Sequence, residues 1–158
     1  MSTPRVESLT AKLEKGRSKT QQALGSLTPE QWARIVYEGP GAWYVRDLAA
    51  HFVSAEERLL ELAKDVASGG EGAPVGFDYD AFNAEEQKRL KNKSPEELLR
   101  ALDEARRATL EWVQNLEDGQ LDRVGRHPAL GEVSLEVMIT AMYGHQLLHM
   151  RDVQSKLI

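Results

Sequence analysis

Apolar positions recur at steps of three and four along most of the chain, the period of a helix buried on one face. From Pro4 to Gly25 the stripe is Val6, Leu9, Leu13, Thr20 and Leu24, with Pro4 suited to a first helical turn and Gly25 to a stop. Thr28 reads as an N-cap with Pro29 at the first helical position, starting a short helix through Trp32 and Ile35. Glu38-Gly39-Pro40-Gly41 is a turn. A second long helix runs from Tyr44 to Ser68 on the stripe Leu48, Phe52, Ala55, Leu59, Leu62 and Val66. Ser68 to Pro74, rich in glycine, reads as the most flexible stretch.

Phe77 to Leu90 reads ambiguously: Asp78 and Asp80 are candidate caps for a helix that would contain Phe82 and Leu90. Ser94-Pro95-Glu96-Glu97 is a capping box with a first-turn proline, and it starts a third long helix reaching about Glu117. Its core candidates are Leu98, Leu102, Ala105, Leu110, Trp112, Val113 and Leu116. Leu121 to Val133 reads as a loop. Ser134 caps the last helix, whose stripe is Val137, Met138, Ala141, Met142, Leu148 and Val153. Four long helices without a strand pattern of any length predict an all-α chain, most simply a four-helix bundle, in a single domain over residues 1–158.

Composition narrows the function. The 158 residues are enough for one core without staples, and 41% apolar with 28% charged residues is a globular balance. With no cysteine, any metal must be held by histidine, carboxylate, backbone or water. No apolar run approaches a membrane span, and the polar N-terminus has no apolar signal region, so a cytoplasmic protein with no membrane partner is expected. Net charge is −5 with the basic residues scattered, which argues against a nucleic-acid footprint. The short cluster Lys88, Arg89, Lys91 and Lys93 reads as solvated surface.

The candidate chemistry lies in histidines. His145 and His149 are four apart on the last helix, so both rings share one face and can converge on an ion at about 2.1 Å. The same spacing also occurs in surface and interface histidines. Here the pair borders the apolar stripe, where two polar rings need partners, and a shared metal supplies both. His51 borders the core stripe of the second long helix. On its own it also fits a histidine bonded to a backbone carbonyl. Three neutral nitrogen ligands would leave a coordination position open, which marks a catalytic or ligand-binding ion able to lower the pKa of bound water. For His127, before Pro128, lining the mouth of the site and a plain surface role are both open, and it is not counted as a ligand. Glu56, Glu57, Asp47 and Asp152 are acid–base candidates that equally fit solvated surface charges, and Asp152 could also orient an imidazole. Trp32, Trp43, Tyr44, Phe77, Tyr79 and Phe82 either wall a pocket above the metal or plug the bundle ends. No phosphate loop, nucleophile triad or dinucleotide fingerprint is present.

Four stretches carry a family resemblance: Trp43 to His51, Phe77 to Asn83, His127 to Gly131, and Tyr143 to Val153. In this order they resemble the DinB-like superfamily, which includes the N-terminal domains of the mycothiol-dependent maleylpyruvate isomerases. The resemblance implies an up-down-down-up four-helix bundle, often a homodimer. It also implies a divalent ion such as zinc or nickel on His51, His145 and His149, all three intact. Members act as transferases or isomerases that use low-molecular-weight thiols, as hydrolases, or as resistance proteins. The chain ends at Ile158 without the isomerases' C-terminal domain, which argues against that particular reaction. Three readings follow. The first is a metal-dependent enzyme acting on a small electrophile by thiol transfer, isomerisation or hydrolysis. The second is a metal-binding protein that sequesters a small reactive compound. The third is a metal-free structural dimer.

Overall fold

Helix boundaries follow the local capping chemistry. Thr3 Oγ1 accepts from the Val6 amide at 3.3 Å, Ser94 Oγ from the Glu97 amide at 3.1 Å and Ser134 Oγ from the Val137 amide at 3.2 Å. Each satisfies one of the N–H groups a helix start leaves free. In the computed structural model, which describes residues 2–157, the helices are α1 (Pro4–Gly25), α2 (Pro29–Trp32), α3 (Val45–Ala67), α4 (Tyr79–Arg89), α5 (Pro95–Val113), α6 (Asp118–Leu121) and α7 (Leu135–Leu157). Two antiparallel hairpins complete the chain: β1 (Ile35–Tyr37) with β2 (Trp43–Tyr44), and β3 (Val124–His127) with β4 (Gly131–Ser134).

The four long helices form an up-down-down-up bundle, as their contacts show. Arg17 meets Asp103 while Gln21 meets Leu99, so α1 and α5 are antiparallel. Leu48 clusters with Leu98 and Val66 with Val113, so α3 and α5 run parallel. Arg5 pairs with Glu136 at one end of α1 and Leu24 packs near Val153 at the other, so α1 and α7 run parallel. The interior has two apolar clusters, one around Leu13, Val66, Val113 and Met138, the other around Leu24, Phe52, Leu98 and Met150. Between them along the helices lies a polar layer of Glu56, Arg106, Thr109 and Gln146, all buried.

Several expected elements differ. Ile35 ends no helix: with Val36 and Tyr37 it forms β1, and the Gly39–Gly41 turn, with both glycines at positive φ, folds β2 back onto it. β-Branched and aromatic residues favour such a strand, but three residues are too few to show a period. The expected loop from Leu121 to Val133 contains the end of α6 and the second hairpin. At Gly125 in β3 a Cβ would lie 2.2 Å from Val66 Cγ2, so only glycine lets this strand lie against α3. The third long helix stops at Val113, and Glu117 and Asp118 open α6. The glycine-rich stretch after α3 is pinned, not loose: Arg126 N donates to Glu71 O at 2.7 Å and Ala73 N to Arg126 O at 2.8 Å. Ala55 and Leu59 are only half-buried, and Val137 and Leu148 are exposed, because these faces line a cavity and not the core.

Candidate metal centre

The antiparallel packing of α3 and α7 brings His51 to His145 and His149. His51 Nε2 lies 3.0 Å from His145 Nε2, and His145 Nε2 lies 3.1 Å from His149 Nε2. One nitrogen from each ring falls within 4.8 Å of the others, an arrangement that could hold a metal ion. The rings stand nearly perpendicular to one another, at interplanar angles of 75° to 90°. Trp43 on β2 packs against His51 with ring centroids 5.0 Å apart.

Electrostatics keep the rings neutral and available as ligands. Burial first, then the neighbouring His145 and His149, pushes the His51 imidazole down to about 3. Burial also lowers His145 to about 4, helped by His149 and His127. His149 is lowered by burial too, against the opposing pull of the Asp152 carboxylate.

The first hairpin supplies a residue that sequence reasoning missed. Tyr37 Oη lies 2.5 Å from Asp152 Oδ2 and 2.7 Å from His149 Nδ1. A carboxylate only accepts, so the phenol donates its single proton to Asp152 and accepts from the His149 Nδ1–H. That fixes the tautomer of His149 and leaves the lone pair on Nε2, facing the other two histidines. Burial and the Asp152 bond push the Tyr37 phenol up, so it stays protonated. Asp152 thus reaches an imidazole through Tyr37. No motif marked Tyr37, because only the hairpin brings it to α7. On His51, Nδ1 is buried without a hydrogen-bond partner.

The histidines open into a cavity of about 940 Å³. Trp43, Phe77, Tyr79 and Phe82 line it, so four of the six candidate aromatics wall the pocket. Of the other two, Trp32 is a buried core residue and Tyr44 is exposed. His127 also lines it, carried there by the second hairpin, with Nδ1 accepting from the amides of Ala129 at 3.0 Å and Leu130 at 3.2 Å. The His127 proton therefore sits on Nε2, which is buried without a partner.

Of the four acidic candidates only Asp152 reaches the site, through Tyr37; Glu56, Glu57 and Asp47 do not. Glu56 is no surface charge: it is 2% exposed and bound by Arg106 in the polar layer. Glu57 faces Arg89 at 3.6 Å, and Asp47 accepts from the Tyr44 amide at the start of α3. Glu56, Arg106 and Gln146 were legible in principle, since each interrupts a four-step apolar stripe: Phe52–Glu56–Leu60, Leu102–Arg106–Leu110 and Met142–Gln146–Met150.

The sequence profile of the DinB superfamily matches residues 12–153. Among solved structures, the chain is similar to YfiT from Bacillus subtilis, "a probable metal-dependent hydrolase with an unusual four-helix bundle topology", at 22% identity and a TM-score of 0.78, over 98% of this chain and 87% of that one. It is similar to the mycothiol-dependent maleylpyruvate isomerase at 19% identity and a TM-score of 0.74, over 94% of this chain but 60% of that one. The colibactin self-resistance protein ClbS, solved in complex with a double-stranded DNA, shares 16% identity at a TM-score of 0.72, over 96% of this chain and 94% of that one. No curated protein matches the sequence. At these identities the structural likenesses establish the fold. Among the described residues, no helix is long and apolar enough to cross a membrane.

Proposed function

This chain belongs to the DinB superfamily, and we propose that within it the protein is a metal-dependent enzyme for a small electrophilic substrate. In this reading His51, His145 and His149 hold a divalent transition ion, zinc or nickel. The observation that carries it is the convergence of three neutral imidazole nitrogens within 4.8 Å, with the lone pair of one aimed by Tyr37. A bound ion supplies a Lewis acid at the wall of the cavity, with at least one position not taken by protein. The chain's own residues do the rest. Tyr37 and Asp152 keep His149 in the ligating tautomer, Trp43 covers His51, and the aromatic wall takes the apolar part of the substrate and excludes water. The attacking group is water or a low-molecular-weight thiol, for hydrolysis or for thiol transfer and isomerisation.

One observation favours a second reading, sequestration of a reactive compound. Among the described residues no Asp or Glu lines the cavity, so the chain brings no carboxylate base to it. The likeness to a self-resistance protein points the same way. Elemental analysis of the purified protein should find about one ion per chain, and His145→Ala should lose it. Full occupancy in the His145→Ala protein would overturn the ligand set. Turnover of electrophiles with and without added thiols separates catalysis from sequestration. The proposal includes a homodimer packed at the cavity rim, where the apolar side chains Val137, Leu147 and Leu148 of α7 both line the cavity and remain exposed.

A further inference from the structure

We propose that Arg58 is an anion-recognition residue of the cavity, and that the ligand is an apolar or aromatic organic acid whose carboxylate it binds away from the histidines. The cavity walls are mostly aromatic and aliphatic, and Arg58 and Arg151 are the charged side chains among them. No carboxylate lines the cavity among the described residues, although the whole chain carries a net charge of −5. A pocket whose charge sign opposes that of its protein attracts the opposite charge in its ligand.

Arg58 is held for this role. It follows His51 by seven residues on α3, two helical turns or about 10 Å along the axis, and Ala55 between them lines the same cavity. Its guanidinium carbon stands 5.5 Å from the centroid of the Phe77 ring, which fixes the group against the wall. Its only hydrogen bond among the described residues runs from Nη1 to Glu61 Oε2 at 3.0 Å, on the solvent side, where Glu61 is 68% exposed. Arg58 Nε is buried and has no partner. A buried N–H without an acceptor is costly unless a ligand supplies one, and a guanidinium offers a carboxylate a fork of donors. The buried Nε2–H of His127 on the cavity wall is a second unpartnered donor.

The inference rests on reading the cavity as the substrate site, but not on the metal, and calorimetry separates the two. The probes are phenylhexanoate and phenylhexanol, alike in shape and differing in charge, titrated into the metal-loaded protein and into the same protein stripped by a chelator. The wild type should bind the acid about ten- to a hundredfold more tightly than the alcohol, with and without metal. Arg58→Gln should bring the acid to about the affinity of the alcohol and leave the alcohol unchanged, while Arg58→Lys, which keeps the charge, should retain part of the preference. If Arg58→Gln fails to fold by circular dichroism, the Lys variant decides through a weakened acid and an unchanged alcohol. Absence of acid preference in the wild type, including absence of any binding, overturns the inference. So does a full preference in Arg58→Gln. A preference that vanishes with the metal would put the carboxylate on the ion and overturn Arg58 while leaving the metal reading intact.

Discussion

Replacing Arg106 with Met removes a charge and keeps much of the volume at the centre of the bundle. Arg106 and Glu56 are 2% and 1% exposed at their side chains and form a two-point pair, Nε to Oε2 at 2.9 Å and Nη2 to Oε1 at 2.8 Å. The guanidinium also donates from Nη1 to the Leu13 carbonyl at 3.0 Å, tying α5 to α1. Without Arg106 the Glu56 carboxylate keeps only the Thr109 hydroxyl at 2.8 Å and the Gln146 amide at 3.4 Å, neither of which neutralises it. Breaking a buried pair by removing one partner costs about 3–5 kcal/mol. For a chain of this size each kcal/mol moves the midpoint by about 2–4 °C, so Arg106→Met should melt about 6–20 °C below the wild type. Replacing both members with apolar residues removes the stranded charge. Glu56→Leu combined with Arg106→Met should therefore recover most of the loss, to within about 2 kcal/mol of the wild type. Recovery is incomplete because Gln146 then lacks its acceptor, whereas Thr109 still reaches the Ala105 carbonyl at 3.2 Å. Urea unfolding followed by circular dichroism in excess chelator reads folding alone, without linkage to metal. A loss below about 1 kcal/mol for Arg106→Met, or a double variant no more stable than the single, would refute the reasoning.

Two further outcomes test the proposed site and assembly. Tyr37→Phe removes the acceptor of the His149 Nδ1–H and should weaken metal binding about ten- to a hundredfold in competition with a chromophoric chelator; unchanged affinity would show that the phenol orients nothing. Light scattering should report a dimer that Leu148→Glu dissociates, since a charge on a 62% exposed side chain disturbs an interface but not the core; a monomeric wild type removes the dimer from the proposal.

The helices were legible because capping and one-sided burial are local properties. Thr28, Ser94 and Ser134 cap where the pattern placed them, and Leu13, Phe52, Leu98 and Met138 face the core as their spacing required. The histidines were legible in part: four-residue spacing put His145 and His149 on one face, but a helix face has no address until another helix covers it. Val137 and Leu148 illustrate the point, since both continue an apolar pattern and both are exposed beside the cavity.

The chain's own pattern was sufficient for an all-α bundle, for most helix starts and for the pairing of two histidines on one turn, because each depends on residues within a few positions. Packing alone decided the rest. It set His51 within 3.0 Å of His145, carried Tyr37 on a three-residue strand to the far ring nitrogen of His149, and buried Glu56 against Arg106 fifty residues away. Those contacts arise when packed elements settle into one particular register, and helical periodicity carries no information about which turn of one helix meets which turn of the next.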